Sequence, residues 1–115
     1  MARMSRKKVL EKVRQYWPDG DPQEIMAVLD AYGTEPYERG RDRVQLAIIK
    51  LSGGKRDRLE ALVQTAKRDY RDVLAYAEYP EEMRTGPIAM RQLSAEEARA
   101  LRRRDKAQYR KWLGG

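Results

Sequence analysis

The run KRDRLEALVQTAKRDYRDVLAYAEY, residues 55–79, decides the fold class. Leu59, Leu62, Val63, Ala66, Tyr70, Val73, Leu74 and Ala77 recur every three or four residues, which places them on one face of an α-helix. A strand would need strict alternation, and the run has none. It accommodates one helix of about seven turns. It equally accommodates a break near Lys67–Asp69, because Asp69 can cap a second segment with Asp72 at its third helical position. Pro80 ends the run in either case.

Working upstream, RDRVQLAIIKLS at 41–52 predicts a helix from Glu38 or Arg41 to Leu51. Val44, Ala47, Ile48 and Leu51 form its main apolar face, and Leu46 and Ile49 widen it around much of the circumference. A helix so broadly apolar belongs at the centre of a bundle. Ser52-Gly53-Gly54 ends it, and Thr34-Glu35-Pro36 is a turn before it. Asp21-Pro22-Gln23-Glu24 is a helix start, with an N-cap acid and proline at the first helical position. Ile25, Val28, Leu29 and Tyr32 share one face, and Gly33 suits a left-handed terminator. The first helix is expected from about Ala2 to Trp17, with Val9, Leu10, Val13, Tyr16 and Trp17 as its stripe and Pro18 and Gly20 as its stop.

Downstream, Glu81 to Gln92 contains Thr85-Gly86-Pro87 and reads as a loop. Ser94-Ala95-Glu96-Glu97 is a capping box that opens a last helix running to about Trp112. Its apolar stripe of Ala98, Leu101, Tyr109 and Trp112 is narrow, and Asp105 interrupts it. This helix either docks through Leu101, Trp112 and Leu113 or projects as an arm. The expectation is an all-α, single-domain bundle of about five helices over 1–115, with 32–82 as central body and 94–113 as a basic C-terminal helix.

Composition limits the chemistry. With 115 residues the chain makes one domain. It is 37% charged and 41% hydrophobic, so the core is thin and the surface well solvated. Cys and His are absent, which removes disulfides, thiol or imidazole catalysis and zinc–cysteine sites. The expectation is no enzyme, no cofactor and no metal. No apolar signal core follows the basic N-terminus and no stretch is long enough to span a bilayer, so a cytoplasmic protein without membrane contact is expected.

The charge is polar along the chain. Residues 1–16 and 86–115 each carry +5, 17–54 carry −3 and 55–85 are neutral, within a total of +7. Arg outnumbers Lys 17 to 8 even in the neutral middle, so the arginine excess is a compositional habit of the chain.

The segments YGTEP at 32–36, RVQLAIIKLS at 43–52, Leu59 with Leu62 and Val63, and DYRDVLAYAEYP at 69–80 lie in a stretch, Tyr32 to Glu82, that resembles a family of small bacterial proteins of unknown function. The resemblance implies a compact helical bacterial protein and supplies no catalytic residues. Both basic helices lie outside it.

Several constellations bear on function. LSGGK at 51–55 is similar to the signature loop of ABC-type ATPases, but no GxxxxGK[ST] is present and a glycine helix stop explains it. Asp69 and Asp72, with Glu78 beyond, could share a cation, but interleaved arginines make a laced solvent face the better explanation. Tyr76 and Tyr79 are candidate interface residues, less clearly inward than Tyr70. Arg6, Lys7, Lys8 and Arg14 at one end, and Arg102, Arg103, Arg104, Lys106 and Arg110 at the other, are candidate anion or nucleic-acid contacts. Two functions follow. The first is a non-enzymatic protein that binds a macromolecular partner through a helical face. The second is weak, sequence-independent nucleic-acid binding through the two basic helices. The protein partner is unknown, and self-association is allowed.

Overall fold

In a computed structural model, which describes residues 4–114, the 55–79 run forms α4, Arg56–Glu78, and it is broken at Asp69. There the backbone leaves the helical region (φ −157°, ψ 98°). Asp69 Oδ1 accepts a hydrogen bond from the Arg71 amide at 3.0 Å, so the aspartate caps the second segment as its position allowed. The apolar stripe continues across the break. Leu59, Val63 and Ala66 before it and Val73, Leu74 and Ala77 after it are all buried.

The broad apolar helix is α3, Arg41–Ser52, and it lies at the centre. Six consecutive residues, Val44 to Ile49, are fully buried. Left-handed glycines bound it, Gly40 before and Gly53 after. Against α3 pack α4 and α1 (Arg6–Tyr16), the latter through Val9 and Val13, while α2 (Pro22–Leu29) packs on α1 and α4 and adds Ile25 and Leu29 to the core. Each fully buried aliphatic side chain stabilises this body by about 1.5–3 kcal/mol. Ser5 caps α1 by accepting from the Lys8 amide at 3.2 Å, so the described helix begins at Arg6. The expected start at Ala2 lies outside the described residues. Asp21 caps α2 at the Gln23 amide, 2.9 Å away. That helix stops at Leu29, earlier than Gly33 suggested, and a turn covers the interval.

The 81–92 segment corrects the expectation of a loop. It is α5, Pro80–Gln92, interrupted only at Gly86 (φ 83°, ψ 160°). Gly86-Pro87 does punctuate the chain, but it separates two helical pieces, and Pro80 and Pro87 each open one. The described residues therefore form six helices and no strand. The last is α6, Ala95–Leu113, opened by the Ser94–Glu97 capping box and closed by left-handed Gly114.

Helix α6 docks along its length, burying Leu101, Asp105, Tyr109 and Leu113. Its C-terminal half joins the core through Tyr109 and Leu113. Trp112 Nε1 donates to the Tyr16 hydroxyl, and the Trp112 carbonyl accepts from Lys12. Its N-terminal half instead pairs with α5, none of whose residues is buried. Both helices of this α5–α6 hairpin also contact α4, and the described fold measures 47 × 29 × 24 Å. Asp105, which interrupted the apolar stripe, is fully buried at the hairpin base. Its two carboxylate oxygens accept from the Glu81 and Glu82 amides at 3.0 and 3.1 Å, capping α5 from another helix.

Candidate interaction surfaces

The cations of α1 divide into three groups. Arg6 makes a two-pronged pair with Asp30, NH1 to Oδ1 and NH2 to Oδ2, both at 2.6 Å. That hydrogen-bonded pair raises the Arg6 pKa and holds the Asp30 carboxyl below its ordinary range. Lys8 pairs with Glu11. Lys12 is buried against α6, its ammonium 4.5 Å from the centre of the Trp112 ring, and burial pushes its pKa down. Lys7 and Arg14 are exposed and make no ion pair among the described residues. They line a groove of about 790 Å³ between α1 and α2, together with the apolar residues Leu10, Pro22, Met26 and Ala27 and the acids Asp21 and Asp30.

The cations of α6 sort differently. Arg102 Nε donates to Glu82 at 2.9 Å. Arg103, Arg104, Lys106 and Arg110 are exposed and form no ion pair among the described residues. At 100° per residue, Arg99, Arg103, Lys106 and Arg110 fall within about 60° of the helix circumference. Arg104 lies about 100° away from Arg103, on the other flank. Lys106 and Arg102 also line a cleft of about 320 Å³ with Tyr79 and Glu82. On α1, Lys7 and Arg14 sit about 150° around the helix from Lys12, the residue that reaches α6. The free cations of α1 and α6 thus form two separate surfaces.

Of the two interface tyrosines, Tyr76 is 54% exposed, whereas Tyr79 is half-buried at the α4–α5 junction. The acidic constellation is dispersed into local roles. Asp69 caps its own helix and pairs with Arg71, while Glu78 holds Arg43 through contacts of 2.8 and 2.6 Å. Asp72 is exposed. In LSGGK, Ser52 Oγ donates to the Ile49 carbonyl and accepts from the Gly54 amide, and left-handed Gly53 stops α3.

Three polar residues organise the fold, of which the sequence marked only Asp105, as a break in an apolar stripe and without a role. Gln45 is fully buried on α3, and its amide donates to the Leu29 carbonyl (2.9 Å), Asp30 (3.2 Å) and the Tyr32 carbonyl (3.3 Å). It thereby satisfies the carbonyls freed where α2 ends. Glu38 folds back onto its own loop. Its Oε1 accepts from the Gly33, Thr34 and Glu35 amides, and its Oε2 from Lys67 at 2.8 Å. Burial alone would raise this carboxyl, but Lys67 and the amides outweigh it and bring it down to about 2. Asp105 is the third. A charged or amide residue inside an apolar stripe was the available signal for Gln45 and Asp105. Glu38 gave none.

Comparison with protein-family models, with curated proteins and with solved structures finds no match to this chain. Among the described residues no helix is long and apolar enough to cross a membrane.

Proposed function

We propose that this is a non-enzymatic helical protein that binds a macromolecular partner through a helical face, and that the face is the α1–α2 groove. The carrying observation is a groove in which the apolar side chains of Leu10 and Met26 lie with two unpaired cations, Lys7 and Arg14, against one unpaired acid, Asp21. The cations lie two turns apart on one side of α1, about 10 Å along its axis. The fitting occupant is an amphipathic helix of a protein partner, with apolar residues facing Leu10 and Met26 and acids facing the cations. A second copy of this chain fits less well, because it would bring the same cations to the same rim. The resemblance of 32–82 supports a bacterial setting for this binding, and a cytoplasmic one is proposed with it.

A photo-crosslinking residue in place of exposed Ala27, with the same residue at exposed Glu60 as control, tests the reading in the native host. A discrete protein adduct is expected at Ala27 alone, resistant to nuclease and weakened about tenfold by Lys7→Glu with Arg14→Glu. An adduct indifferent to those reversals, or lost with nuclease, would overturn it.

A second reading, weak sequence-independent nucleic-acid binding, is favoured at one place, the unpaired cation stripe of α6.

A further inference from the structure

We propose that α6, without α1, forms a binding site for single-stranded nucleic acid, in which Arg99, Arg103, Lys106 and Arg110 hold phosphates and Tyr79 stacks on a base. The inference rests on the second reading above and narrows it to one surface. The four cations rise along one side of α6 over about 16 Å, in steps of about one turn. None makes an ion pair among the described residues, so all four charges are available. Three are arginines, whose forked donors match phosphate oxygens.

The stripe is unlike a protein interface. No apolar residue of α6 falls within it, whereas a protein partner is held by an apolar centre with charges at the rim. A ligand with a uniformly charged backbone needs no such centre. The apolar element sits beside the stripe: Tyr79, in the cleft it shares with Arg102 and Lys106. Glu82 is the one acid lining that cleft, and Arg102 Nε already neutralises it at 2.9 Å. The two terminal nitrogens of Arg102 make no hydrogen bond among the described residues, so they remain free to reach a phosphate. A ring at the edge of a single cation row suits an unstacked base, which a duplex does not present. Exposed Glu96, one turn before Arg99, ends the stripe and limits the site to a few nucleotides.

Fluorescence anisotropy of the full chain with a labelled oligothymidylate tests this. Four phosphate contacts on a single strand predict a slope of log affinity against log salt of about −3. Arg103→Ala with Arg110→Ala should bring the slope to about −1.5. Lys7→Ala with Arg14→Ala should leave affinity and slope unchanged, while the same pair weakens the groove adduct, so the two sites fail separately. Tyr79→Leu should weaken binding about tenfold at constant slope, and Tyr79→Phe should restore it. The proposal is overturned by a salt-independent affinity, by equal losses from the α1 and α6 variants, or by a duplex binding more tightly than the single strand. Competition by polyglutamate as strong as by unlabelled oligothymidylate would assign the stripe to an acidic protein and overturn it as well. An unchanged affinity in Tyr79→Leu would remove the stacking half of the site.

Discussion

The α1–α4 body and the α5–α6 hairpin are built from the same residue types but are held by different forces. The body encloses a continuous apolar core, from Val9 and Ile25 through Val44, Leu46, Ala47, Ile48 and Ile49 of α3 to Ala77. Its buried polar groups, Gln45 and Glu38, close off the backbone where helices and turns end. The hairpin joins that core only at the end of α6, through Tyr109 and Leu113. No residue of α5 is fully buried, though Met83, Ala89 and Met90 are half-buried, and directed polar contacts help to hold it: Asp105 at two of its amides and the Arg102–Glu82 pair. Apolar burial is spread over many atoms and survives small losses, whereas a helix held by a few directed bonds opens locally when one is removed. The body with the C-terminal end of α6 is therefore the cooperative unit, and α5 is its low-stability edge.

The contrast is sharpest for two isoleucines. Ile48 is fully buried and Ile88 is 71% exposed. Ile48→Ala should cost about 3–4 kcal/mol in chemical denaturation, and Ile88→Ala under about 0.5 kcal/mol. Comparable losses at the two positions would mean that the hairpin shares the core.

The next effect is acid lability of the body. Glu38 titrates at about 2 when folded, against 4.5 in its unperturbed state, so the unfolded chain takes up the proton first as pH falls. The stabilisation is whole above about pH 5 and disappears towards about pH 2, amounting to about 3 kcal/mol. Glu38→Gln should flatten that acid limb of the stability–pH curve. An unaltered limb would place the acid sensitivity elsewhere.

Asp105→Ala probes the hairpin. It should cost about 1–2 kcal/mol locally, the scale of a lost helix cap, and it should release amide protection at Glu81 and Glu82 in hydrogen exchange. Protection of Val44 to Ile49 should persist. Simultaneous loss in both regions would show one cooperative unit instead of two.

These differences also mark how far the chain could be read from its residues. The periodicity of 41–52 and 55–79, the Asp21 cap and the Ser94 capping box are contacts within about four residues of themselves, and each was legible, whereas the Asp69 break was one of two alternatives that the run allowed. Helix α5 was not, because Gly86-Pro87 is true local punctuation, and the cap that starts the helix comes from Asp105, 24 residues away. Gln45 and Glu38 escaped for a related reason. The carbonyls and amides they satisfy become unpaired only once α2 and its following turn have folded against α3. Of the candidate cations, charge and exposure were visible, but their distribution was not. Pairing of Arg6 with Asp30 and Arg102 with Glu82 depends on which helices become neighbours.

The docking of α6 against α1 brings the two ends of the described fold together. Lys8 Nζ lies 3.8 Å from where a Cβ on Gly114 would stand, and Lys12 holds the Trp112 carbonyl beside it. The C-terminal end of α6 thus lies beside the first turns of α1. A circular permutant joined across these ends and opened at Gly86, where α5 is already interrupted, should keep the thermal midpoint of the body within a few degrees.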